Sequence, residues 1–180
     1  MCYNNYVGDN VAKIVLVCGI HGSGKSTLLR TMHGYTILAA SEVIRNNNNG
    51  KCDNKKEVAS IDNNQDVLLK SLSNFTTSNE LILLDGHTCL LDENRNIQKI
   101  PFSFFQQMQL LGVVFVDCES YVIKERLVNR NIYWDLNFIN EFKRLEYEYA
   151  IQISETLRIK FVKVHCDNVE LFERFLVELC

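Results

Sequence analysis

The chain of 180 residues contains a single proline, Pro101, and no long apolar run. No stretch approaches the ~18 apolar residues of a membrane span, and the start, MCYNNYVGDN, lacks the basic and apolar segments of a secretory leader. A soluble, cytoplasmic protein with no membrane partner is therefore expected. Positive charge is not in surplus either: 19 Lys and Arg against 22 Asp and Glu leave a net charge of −3, and the pI is near 5.8. Without a basic face, no nucleic-acid partner is expected, although a few local cations suffice for a small anion. The 7 cysteines are odd in number and form no C-x-x-C pair, which favours free buried thiols over disulfides or zinc. No internal repeat is apparent, and the length fits one domain over 1–180.

What the sequence does contain is concentrated in Lys13 to Arg30, KIVLVCGIHGSGKSTLLR. An apolar run from Ile14 to Cys18 ends at Gly19, and the pattern G-x-x-x-x-G-K-[ST] is completed by Gly24, Lys25 and Ser26. A loop of this kind curls successive backbone N–H groups inward onto phosphate oxygens, and Gly22 and Gly24 supply the backbone freedom it needs. A helix beginning near Lys25 directs its positive end at the same anion. Ser23 lies within the loop. Lys25 is expected on the β- and γ-phosphates of ATP, Ser26 on Mg²⁺, and Thr27 near the α-phosphate.

The remaining chain alternates short apolar strands with amphipathic helices. Strands are predicted at Thr36 to Ala39, Leu81 to Leu84, Val113 to Val116 and Phe161 to Val164. Helices are predicted from Glu42 behind a cap at Ser41, from Asp66 with Val67, Leu68, Leu72 and Phe75 inward, over Phe102 to Leu111, from Ser120 to Asn129, over Leu136 to Leu157, and over Val169 to Leu179. Residues 46–56 and Leu90 to Pro101 read as polar loops. The pattern predicts an α/β, three-layer α/β/α fold around a five-stranded parallel sheet. Ligands of such sheets bind beyond the carboxyl ends of the strands, which aligns the phosphate loop, Ser41, Asp85, Asp117 and His165 along one edge.

Asp85, closing its strand, is the natural carboxylate to hold Mg²⁺ through water. Its neighbour Gly86 stands where many hydrolytic motors carry a glutamate, which counts against an ATPase of that type. Arg126 and Arg130, four apart on a helix, can reach one anion, and Arg144 on the next helix can converge with them. His87 is the histidine suited to orient an acceptor or the magnesium shell, and a turn residue satisfied by backbone is the alternative. His21 occupies an unconstrained loop position and is expected in solvent.

With these motifs in place, the chain resembles the P-loop nucleoside monophosphate kinases, and most closely the archaeal-type adenylate kinases. Ser41 to Arg45 is similar to the family's acceptor element, Leu84-Asp85-Gly86-His87-Thr88 to its strand-end segment, and Arg126 with Arg130 to its lid-entry arginines. Asp135 and Arg144 match the acidic residue and arginine after the lid, and Asp167-Asn168 the loop that meets adenine. The resemblance implies an acceptor-binding insertion at about 41–75, a short lid at about 126–144, and ATP with Mg²⁺ as cofactors. It also implies γ-phosphoryl transfer to a nucleoside monophosphate or similar small acceptor held by Ser41, Arg45 and His87, with Asn168 at the base. The chain departs from the family where Asn131-Ile132-Tyr133-Trp134 replaces a further lid arginine. That departure leaves open a nucleotide-dependent regulatory or partner-binding ATPase using the loop as a switch.

Overall fold

The computed structural model describes residues 13–47, 61–73 and 81–179. Its centre is β1 (Lys13–Cys18), which pairs in parallel with β3 (Leu81–Asp85) on one side and β6 (Leu110–Asp117) on the other. Adding β2 (Thr36–Ala39) and β7 (Lys160–His165) gives a five-stranded sheet in the order β2-β3-β1-β6-β7, all parallel.

Side chains of a strand alternate between faces, so a strand covered on both sides reads as an unbroken apolar run. In β1, Ile14, Leu16 and Cys18 face one core, while Val15 and Val17 face the other. The first core is closed by α3 (Ile61–Ser73), α4 (Phe102–Gln107), α5 (Ser120–Val128) and α6 (Leu136–Leu157) through Leu68, Phe105, Ile123, Phe142 and Ile153. The second is closed by α1 (Lys25–Leu29) and α7 (Val169–Val177) through Leu28, Phe172 and Leu176. Each fully buried residue of this size contributes about 1.5–3 kcal/mol. The predicted three-layer fold is thus observed, and among the described residues no helix is long and apolar enough to cross a membrane.

Several local expectations are corrected. The excursion before Pro101 is a hairpin, β4 (Cys89–Leu91) against β5 (Ile97–Lys99), whose turn is organised by the Asp92 carboxylate accepting from Asn94 N, Asn96 N and Asn96 Nδ2. Helix α2 (Ala40–Asn47) follows β2 directly, so Ser41 lies inside its first turn and does not cap it. Helix α3 starts five residues earlier than Asp66. Leu110 and Leu111, predicted as the end of a helix, open β6. Ser120 does not cap α5; Glu119 holds that position, and the Ser120 hydroxyl bonds Asn140. Most of the asparagine-rich stretch, together with Phe75 and much of the expected acceptor insertion, lies outside the described residues.

Candidate functional site

The loop between β1 and α1 needs glycine for reasons of space. Gly19 has φ +142°, and a Cβ there would stand 2.6 Å from the Val116 carbonyl oxygen; Gly24 has φ +99°, and its Cβ would stand 2.9 Å from Cys166 Cβ. The loop is therefore clamped between β6 and the end of β7. Lys25 is buried, and its ammonium donates to the carbonyls of Gly19 at 2.5 Å and Ile20 at 3.4 Å. Burial pushes the Lys25 pKa down; Asp85, Glu146 and Cys18 act in the opposite sense, while Arg130 adds to the lowering.

Ser26 Oγ donates to Asp85 Oδ2 at 2.9 Å. Register brings them together, since Asp85 is paired with Val17 of β1 and Gly86 N donates to Val17 O. A hydroxyl and a carboxylate are hard oxygen donors of the kind Mg²⁺ selects. Ser23 Oγ is buried without a hydrogen-bond partner among the described residues, which leaves the loop one unused polar atom. The donor set fits ATP with Mg²⁺.

Beside the loop opens a cavity of about 400 Å³ whose walls include Thr27, Cys118, Arg126, His165, Cys166 and Asp167. Arg126 reaches it from α5 and donates to Gly22 O at 3.0 Å. Asn168, expected here, instead caps α7 by accepting from Leu171 N at 3.0 Å. The neighbouring Cys166 and Asp167 are what this turn contributes to the wall.

Two other expectations of convergence are not met. Arg144 makes a two-pronged contact with Glu148 at 2.8 and 2.9 Å, one helical turn along α6, and lines a separate, smaller cavity with Asp117, Lys143 and Lys163. Helix geometry brings i and i+4 together, and Glu148 is the nearest anion. Arg45 is exposed and lies 4.0 Å from Glu42 in its own helix, and Ser41 is also exposed. Asp135 caps α6 by accepting from Phe138 N at 2.8 Å, and Trp134 packs its ring on Phe138 and Phe142.

The strongest polar feature is one the motif reading passed over. Glu146 of α6 is completely buried and accepts from Gly19 N at 3.3 Å, Thr88 N at 3.0 Å and Cys89 N at 2.6 Å. One carboxylate thus ties the first residue of the phosphate loop to the segment that follows β3. His87 Nδ1 lies 3.4 Å from the same Oε1, and the His21 ring stands 4.6 Å from that of His87. Burial acts to raise the Glu146 pKa, but His87, the Thr88 N–H and the Lys25 charge outweigh it and hold the carboxyl below its ordinary value. Burial pushes His87 down, assisted by Lys25. A signal for Glu146 does exist in the sequence. It interrupts the apolar stripe Ile139, Phe142, Tyr149, Ala150, Ile153 at the spacing of a buried helix face.

His165 is equally engaged, with Nδ1 on Asp167 and Nε2 on Glu119 at 3.1 Å. Asp167 first and Glu119 second push its pKa up to about 9. The folded state therefore favours the protonated form. Its contribution to stability is complete below the unfolded value of about 6.5 and fades as pH rises through about 9. A proton-resolved imidazole titration of the folded protein should show His165 changing charge near 9, with His87 neutral at neutral pH. A His165 midpoint at the unfolded value would mean that the two carboxylates do not hold it in solution.

A shikimate kinase from Acinetobacter baumannii, solved in complex with shikimate, aligns over 94% of this chain and 95% of its own, at 15% identity and a TM-score of 0.56, and shows the shared fold. A gluconokinase from Sinorhizobium meliloti 1021 aligns over 88% of this chain and 84% of its own, at 16% identity and a TM-score of 0.44. No curated protein sequence matches the chain. The family model for an AAA domain matches residues 18–132, more than half of the sequence. On that match, the chain belongs to the AAA domain family.

Proposed function

We propose that the protein transfers the γ-phosphoryl group of ATP to a small acceptor, a nucleoside monophosphate or a compound of similar size. The observation that carries this reading is the Ser26–Asp85 pair beside a buried Lys25, with Arg126 brought to the same loop from α5. In such a site Lys25 exchanges the Gly19 carbonyl for phosphate oxygens, the loop amides hold the β-phosphate, and Arg130 meets charge that builds on the transferring group. Ser26 and Asp85 would hold Mg²⁺, which would supply charge neutralisation for the phosphates. The acceptor oxygen attacks the γ-phosphorus as the bond to ADP breaks, with no covalent enzyme intermediate. Ser41 and Arg45 at the carboxyl end of β2, with His87 after β3, are assigned to the acceptor, and Arg144 joins the phosphoryl group only if a lid at 126–144 closes and releases Glu148. The likeness in fold to a shikimate kinase agrees with a small-molecule acceptor. The narrower resemblance to archaeal-type adenylate kinases belongs to this proposal.

A second reading has one observation of its own. Arg144 is held outward by Glu148, and no arginine occupies positions 131–134, so a nucleotide-operated switch with slow hydrolysis uses the same loop without a complete cationic rim. Incubation with γ-labelled ATP and Mg²⁺ against a panel of nucleoside monophosphates and hydroxyl-bearing carboxylic acids separates the two. The expected product is a labelled nucleoside diphosphate. Label on a hydroxy acid would keep the transferase and replace its acceptor, whereas free phosphate alone in every reaction would leave the switch.

A further inference from the structure

At the carboxyl ends of β6 and β7 the chain brings two thiols into contact. Asp117 and His165 are the last register pair of these strands, and Cys166 N donates to Asp117 O at 2.9 Å, so Cys118 and Cys166 are the next residues along each strand. Neighbouring strands run about 4.8 Å apart, inside the Cα span of about 4.4–6.8 Å that a disulfide bridges. The sulfurs are 3.2 Å apart and both are free. Cys118 is buried, while Cys166 is partly exposed in the wall of the cavity beside the phosphate loop.

His165 completes a Cys₂His group whose ligand atoms lie within 4.8 Å of one another. Three observations favour thiol chemistry over a bound cation. Arg126 already sets a positive charge against both sulfurs, at 3.5 Å from Cys118 and 3.8 Å from Cys166. Both nitrogens of His165 are taken by carboxylates. The sulfur separation is also shorter than the roughly 3.8 Å between two thiolates on one tetrahedral zinc, as Zn–S bonds of about 2.3 Å require.

We propose that Cys118 and Cys166 form a reversible disulfide, with a hydroperoxide as oxidant, and that this bond controls the adjoining nucleotide cavity. The Cys166 thiolate attacks the outer oxygen of the peroxide; the O–O bond breaks, the alkoxide leaves and takes a proton as an alcohol, and a sulfenic acid remains. The Cys118 sulfur then attacks that sulfur, and the hydroxyl departs as water with the Cys118 proton. Two thiols and one hydroperoxide thus give one disulfide, one alcohol and one water, and an external dithiol reverses the change. Burial, then Cys166, pushes the Cys118 thiol up to about 12, so Cys118 stays protonated at neutral pH and carries the proton that leaves with the hydroxyl as water.

Closing the sulfurs from contact to a bond moves the two groups on which Arg126 rests. It also moves Cys166 Cβ, which already stands where a Cβ on Gly24 would meet it. The phosphate loop therefore feels the change. This consequence rests on the reading that the cavity receives ATP, and nucleotide affinity is expected to fall roughly tenfold, an ordinary coupling between adjacent sites.

The test treats the full chain with hydrogen peroxide, maps peptides by mass spectrometry without reduction, and measures ATP binding by calorimetry before and after. The expected result is a linked peptide pair joining Cys118 to Cys166, two hydrogens lighter, absent in Cys118→Ser and in Cys166→Ser and reversed by dithiothreitol, with weaker ATP binding in the oxidised form. Full alkylation of both thiols after peroxide, or their stoichiometric protection by added Zn²⁺, overturns the disulfide. A disulfide that forms while ATP affinity stays constant overturns the control. If ATP binds neither form, the proposed function fails while the linked peptide still stands.

Discussion

Lys25→Ala should lower phosphoryl transfer by roughly 10²–10³-fold, the loss that follows removal of one preorganised charge from a water-poor site. The ammonium is held on the Gly19 and Ile20 carbonyls, so it is already desolvated and in place before any phosphate arrives. Little reorganisation is then needed at the moment of reaction. Alanine removes the charge and leaves two loop carbonyls without their donor. Single-turnover transfer from labelled ATP measures the effect, and urea unfolding without nucleotide confirms that the variant is folded. A folded variant with unreduced transfer would take Lys25 out of the mechanism, and with it the assignment of the loop to the γ-phosphate.

The second large effect is expected from Glu146→Leu, and it should appear first as lost stability. Leucine leaves three buried donors, the N–H groups of Gly19, Thr88 and Cys89, without the acceptor they share. Each unsatisfied buried group costs about 1–3 kcal/mol, so a loss of about 3 kcal/mol or more is expected in urea titration. Glu146→Gln keeps the size and one oxygen but turns an NH₂ toward backbone N–H groups, so it should restore only part of the loss. ATP binding should weaken in both variants, because Gly19 opens the phosphate loop. A change in stability below about 1 kcal/mol for leucine would fall within the range of ordinary substitutions and show that those donors have other acceptors.

The parts of this molecule legible in the sequence were those written in local pattern. The apolar runs of β1, β3, β6 and β7 gave the sheet because strands covered on both faces need no alternation. The loop spelling marks Lys25 and Ser26, and the end of the Leu81 to Leu84 run marks their partner Asp85. The hairpin at Cys89 to Lys99 was missed because three-residue strands carry too short a pattern and depend on Asp92 side-chain bonds for their turn. Arg144, expected from the next helix to converge with Arg126 and Arg130, instead pairs its guanidinium with Glu148 one turn away, where the cost in side-chain order is small. Asn168, which the resemblance puts at the base, serves as the cap at the start of α7. Glu146 and the Cys118–Cys166 contact join residues from distant parts of the chain, which no local pattern encodes.

The position of β1 at the middle of the sheet also bears on how the molecule assembles. Its two neighbours come from far along the chain, so the centre can pair only after long intervening segments have been gathered and their loop-closure entropy met. The clamp on the phosphate loop draws on β6, β7 and α6 together. Folding should accordingly deliver nucleotide affinity last, after most helical signal has appeared, so that ATP capture reports a finished chain and not an intermediate.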